Sequence, residues 1–136
     1  MSIAKRINEV KSHLSKECRL VAVSKFQPIH LLQEAYDCGQ RIFGESKVQE
    51  LVEKEAALPK DIEWHFIGHL QTNKVKFIAP FISVIHSVDS LKLAKEIIEK
   101  EIENHQLILK DKGYFVRLGE MAASSLDIKT RVWVKN

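Results

Sequence analysis

Four short apolar runs, each followed by a segment of helical period, constrain this chain more than any other feature. They read "LVAV" at 20–23, "RIF" at 41–43, "WHFI" at 64–67 and "SVIHSV" at 83–88. Strands buried on both faces give such near-continuous runs, whereas half-exposed antiparallel strands alternate apolar with polar residues. The pattern therefore predicts an α/β fold, a parallel sheet covered by helices. The strand starts recur about every 20 residues, a unit that suits either a barrel of eight βα units or an open doubly wound sheet. No Gly-x-Gly-x-x-Gly and no P-loop follows the first run. Those phosphate sites need glycines where the backbone approaches the anion, so their absence favours the barrel.

Punctuation between the runs places the helices. Pro28 and Gly39 bracket "IHLLQEAYDC", a proline suiting a first turn and a glycine a C-terminal stop. Ser46 and Gln49 stand in capping-box spacing ahead of Val48, Leu51 and Val52. Thr72 is expected to open a third helix that ends by Pro80. Asp89 or Ser90 caps a fourth, whose Leu91, Ala94, Ile98 and Ile102 form one stripe. The N-terminal "MSIAKRINEVKSHLSK" reads as a surface helix and not as a signal peptide. Four βα units fit before residue 104, about half of a barrel that usually takes about 250 residues. The remainder offers two short strands and no amphipathic helix.

Charge excludes little but is informative. Twenty-one basic and eighteen acidic residues leave a net charge of +3, interleaved along amphipathic segments. That is too weak a bias for a nucleic-acid or anionic-membrane partner. No apolar run approaches the roughly 18 residues of a membrane span, and cytoplasmic residence is expected. Cys18 and Cys38 lie in no zinc or redox pattern and read as reduced, packed thiols.

Polar groups gather where the runs end. Lys25 follows the first, Gly44, Glu45 and Ser46 the second, Gly68, His69, Gln71 and Asn73 the third, and Ser87 and Asp89 the fourth. In a barrel these ends share the face where functional groups collect. A lysine on a rigid strand end, once deprotonated, is a nucleophile towards aldehydes, and Schiff-base chemistry is its natural use. The bland alternative is a solvated lysine closing a strand. His65 and His69 are not a metal pair, because His65 falls in a strand pattern and Gly68 separates them; no metal is expected. His86 reads as a core histidine with a partner.

The segments "AVSKFQP", "RIFGESKVQE", "WHFIGHLQTNKVK" and "IHSVDS", in that order and spacing, closely resemble the pyridoxal phosphate homeostasis protein family. The domain of that family is similar to the N-terminal barrel of alanine racemase. The resemblance implies a (β/α)8 barrel of fold type III holding pyridoxal 5′-phosphate (PLP) as an internal aldimine on Lys25. Ser46, His65 and Ser87 would lie around the ring. It implies a role in vitamin B6 balance with no reaction of the protein's own. A racemase-like enzyme would need a further acid or base on the opposite ring face, and a remnant that binds no cofactor is the third reading. Ser46 stands where many relatives carry asparagine.

The resemblance covers residues 1–104. Late motifs of the family, resembling "SMGMSxD" and "GSTxVRIG", do not follow, and "VRLGEM" and "MAASSLD" echo them only loosely and in the wrong order. Residues 105–136 are thus expected to be a divergent segment, the family pattern being C-terminally truncated or frame-shifted. Half a barrel leaves two strand edges unpaired and an apolar interior uncovered, so self-association is expected.

Overall fold

In the computed structural model of the chain, residues 2–105 are described in full and 115–122 and 125–131 by their backbone. Two compact units result, residues 1–69 with 81–87 and residues 70–80 with 88–136.

The first unit is built on a four-stranded parallel sheet. Its strands are β1 (Ala22–Val23), β2 (Ile42–Glu45), β3 (Glu63–Phe66) and β4 (Ile82–Ile85). Their order is β1-β2-β3-β4, with no reversal along the sheet. Helices α1 (Ile3–Ser12), α2 (Ile29–Asp37) and α3 (Val48–Ala57) complete this unit. Register pairs Val23 with Gly44, Gly44 with His65 and His65 with Val84, a row on one face of the sheet. Phe43 and Trp64 are also paired, and their rings lie 5.9 Å apart in a buried cluster that includes Leu32, Leu51, Ile62 and Phe66. The expected α/β class with parallel strands is observed.

Details depart from expectation for local reasons. β1 starts at Ala22 instead of Leu20, because buried Gln40 donates its amide to the carbonyls of Leu20 and Ile42, at 2.8 and 2.7 Å. A side chain there satisfies the acceptor that a neighbouring strand would otherwise take. The capping box at Ser46 does not form. Lys47 occupies the cap position of α3 without a side-chain cap, and Gln49 bonds Glu53 one turn on. Proline does open α2, but as the cap residue Pro28, and Gly39 after its end adopts φ +88°, as a left-handed stop requires. α1 buries no residue. Cys18 and Cys38 are free thiols, and both are exposed, so neither packs in the core.

The second unit contains a 3-10 turn (Thr72–Lys74), α4 (Val75–Ile78) and α5 (Leu91–Asn104). It ends in an antiparallel hairpin of β5 (Phe115–Ala122) and β6 (Ser125–Arg131). Thr72 opens this segment as its first residue, with Gln71 before it giving no side-chain cap, while Ser90 caps α5 by accepting the Leu93 amide at 3.1 Å. The buried residues of α5 are Leu93, Ala94 and Ile102; Leu91, assigned to the stripe from its spacing, is exposed. Among the described residues no helix is long and apolar enough to cross a membrane.

Candidate functional site

Of the residues singled out from the sequence, Lys25, Gly44, Glu45, Ser46, His65, Gly68, His69 and Ser87 lie in the first unit, in or just after β1 to β4, whereas Gln71, Asn73 and Asp89 fall in the second. After β1 the chain turns over Ser24–Gln27, closed by the Gln27 amide donating to the Ser24 carbonyl at 3.0 Å. Lys25 lies in this turn, exposed, and its ammonium meets no carboxylate among the described residues. The next residue, Phe26, has φ +63°, in the left-handed region that a side chain with a Cβ rarely enters.

What holds this turn is a buried charge cluster. Lys54, on α3, is 5% exposed at its side chain. Its ammonium donates to the Ser24 carbonyl, Glu45 Oε1 and Glu50 Oε1, each at 2.7 Å. The Ser24 hydroxyl donates to Glu45 Oε1 at 2.6 Å, and the Phe26 amide to Glu50 Oε1 at 2.7 Å. Burial alone would raise the Glu50 carboxyl, but the hydrogen bonds from Lys54 and Phe26 outweigh it and hold the group below its ordinary value. Sequence reading placed Glu45 at a strand tip without a role and passed over Glu50 and Lys54. A signal was present. Lys54 falls at i+3 from Leu51 and i−4 from Leu58, both buried, so a lysine occupies the apolar stripe of α3.

The remaining candidates form a second group. Ser46 follows β2, and a Cβ added at Gly68 would collide with the Ser46 backbone, so only glycine lets the ends of β2 and β3 approach this closely. The Ser87 hydroxyl donates to the Gly68 carbonyl. His65, buried within β3, has its Nδ1 2.9 Å from Nε2 of His86, one ring donating and the other accepting. Contrary to expectation, His86 is exposed and lies just past the end of β4. Burial pushes the His65 pKa down, the charges of His86 and Arg19 add to this, and Glu63 opposes it. The structure thus brings Ser46 and Ser87 together through Gly68 and sets His65 beside His86. No hydrogen bond joins Lys25 to either group among the described residues.

Two buried side-chain atoms have no hydrogen-bond partner there, Glu45 Oε2 and His65 Nε2. Among the described residues, the Lys25 amine, which meets no carboxylate, the Ser46 and Ser87 hydroxyls past the strand ends and the orphaned His65 nitrogen within β3 are polar groups of a kind that suits a polar aromatic aldehyde. No three His, Cys, Asp or Glu residues come together to hold a metal among the described residues.

The pyridoxal phosphate homeostasis protein of Aquifex aeolicus is 38% identical over 116 residues, spanning 77% of this chain and 51% of that protein. The chain is a homologue of the pyridoxal phosphate homeostasis proteins. The mouse protein is 53% identical over 87 residues, 58% of this chain and 31% of its own length. PipY of Synechococcus elongatus, solved with PLP bound, superposes with a TM-score of 0.71 at 42% identity, covering 75% of this chain and 49% of PipY. Its PLP-free structure gives 0.72 at 41% identity. The chain spans about half the length of these relatives, and less of the mouse protein. Separately, the family described as mechanosensitive ion channel MscS, C-terminal, matches residues 82–136. The boundary expected at residue 104 falls inside that match.

Proposed function

We propose that residues 1–104 of this homologue form half of a (β/α)8 barrel of fold type III that binds PLP covalently through Lys25. It serves intracellular, cytoplasmic PLP homeostasis and has no reaction of its own. The observation that carries this reading is an exposed, unpaired lysine on a hydrogen-bonded turn at the end of β1, in a homologue of a PLP-bound protein. A sheet order without reversal supports a barrel, since doubly wound sheets reverse their order. When bound, the cofactor supplies an aldehyde that condenses with an amine and an aromatic ring that withdraws electrons.

The residues present fit that group at its aldehyde end. Lys25 offers the nucleophilic amine, and Ser46, His65 and Ser87 offer hydrogen bonds to ring substituents. Barrels commonly hold phosphate with the loops of their seventh and eighth strands. The four parallel strands among the described residues supply neither loop, so the residues named above address the aldehyde end of the cofactor and not its phosphate. Residues 105–136 take no part in the site under this reading.

Incubation of the whole chain with PLP, borohydride reduction and peptide mapping tests the proposal. The adduct is expected on Lys25 and is lost in Lys25→Ala. Adducts spread over other lysines, with Lys25 unmodified, would overturn it. A racemase-like enzyme would instead exchange the α-proton of an added amino acid with solvent.

A further inference from the structure

Lys54 sits where an apolar residue would pack, yet its three ammonium protons meet three acceptors at 2.7 Å. Burying an ion pair is costly, and replacing one with apolar side chains is often neutral or stabilising. Here one ammonium is surrounded by two carboxylates, and Glu45 Oε2 remains buried without a partner. A cluster serving packing alone has no need of the second carboxylate. Among the described residues, the side-chain bonds this cluster makes beyond itself go to one place. Lys54 and Glu50 grip the Ser24 carbonyl and the Phe26 amide, the groups on either side of Lys25, and Glu45 takes the Ser24 hydroxyl.

Lys25 thus has a clamped backbone and, among the described residues, a side chain without a hydrogen bond or ion pair. The clamp also holds Phe26 at φ +63°, a conformation that persists only where surroundings determine it. We propose that Lys54, with Glu45 and Glu50, is a positioning device that fixes the Ser24–Gln27 turn so that Lys25 is presented to its aldehyde ligand. The assignment rests on the reading of Lys25 as the cofactor-binding lysine. Lys54 acts through the turn and touches no ligand. Fixing a nucleophile in one geometry raises its reactivity over an equivalent but mobile group.

The test uses the whole chain with pyridoxal phosphate as probe, in wild type and in Lys54→Met, Glu50→Ala and Glu50→Gln. Two quantities are read: the rate of reducible adduct formation at Lys25 relative to the other lysines, across pH, and hydrogen exchange of the Phe26 amide without ligand. In Lys54→Met the relative labelling of Lys25 should fall about tenfold or more, and the Phe26 amide should exchange faster, while unfolding stays cooperative. Glu50→Ala should do the same, whereas Glu50→Gln, which keeps an acceptor for the amide, should restore slow exchange and labelling. Should Lys54→Met not fold, Glu50→Ala decides, since it leaves the Lys54–Glu45 pair in place. Unchanged exchange and labelling in a folded Lys54→Met or Glu50→Ala chain overturns the inference. Absence of Lys25 labelling in wild type counts against the cofactor reading instead, and Phe26 exchange then still decides the clamp.

Discussion

At the scale of single residues, two positions at the strand ends carry separable consequences. Gly68 leaves no room for a Cβ against the Ser46 backbone, and neither strand end can yield without disturbing its ladder. Gly68→Ala should cost about 1–3 kcal/mol, the usual range for overpacking, read as a lower denaturation midpoint at unchanged slope. His65 makes a pH prediction. Its folded pKa is depressed by burial, so below about pH 6.5 the unfolded chain binds a proton that the folded chain does not. Stability therefore falls as the pH drops below that value, and continues to fall until the folded pKa is passed. Melting temperatures measured across this window should decline on the acid side, and His65→Gln should flatten the decline. Of the four residues named from the sequence, Lys25 and Ser46 lie at strand ends as expected, and Ser87 just past one. The approach of Ser46 and Ser87 depends on Gly68, whose role spacing alone does not reveal.

Among the elements, capping separates what pattern predicts from what packing overrides. Ser90 satisfies a free donor at the start of α5 by accepting the Leu93 amide. Ser90→Ala should destabilise by about 0.5–2 kcal/mol, measured by chemical denaturation. At α3 the same signal, Ser46 with Gln49, has no such effect. Ser46 is held at the end of β2 beside Gly68, and the first-turn acid that matters is Glu50, turned towards Phe26. The strands were legible because near-continuous apolar runs are rare outside buried sheets. Their lengths were not. β1 is shortened where the Gln40 side chain takes the Leu20 carbonyl, and β4 ends before His86 although the His86 amide still donates to the Phe66 carbonyl at 3.0 Å.

At the scale of the whole molecule, the parallel sheet of the described residues has β1 and β4 as its edges, and each carries a valine open to solvent. Val23 is 57% exposed and Val84 39%. Exposed parallel edges beside apolar surface favour association with further strands. The isolated chain is expected to elute from size exclusion at a concentration-dependent volume, with Val23→Lys shifting it towards monomer. A monomer at every concentration counts against this expectation. The match of residues 82–136 to the MscS C-terminal family overlaps β4 and α5 and extends through the hairpin. It gives the segment past residue 104 a likeness that the homeostasis-protein motifs do not.

The order of polar and apolar residues alone determined the α/β class, the parallel strands, the placement of most helices and the lysine at the first strand tip. Each of these follows from burial periodicity, which is local and survives in a linear string. Only the tertiary structure decided that Lys54 reaches across 30 positions to the Ser24 carbonyl, that Gly68 meets Ser46, and that His65 pairs with His86. These are contacts between residues distant in the chain, and a hydrogen bond or steric limit between such residues exists only once the sheet has set their elements side by side.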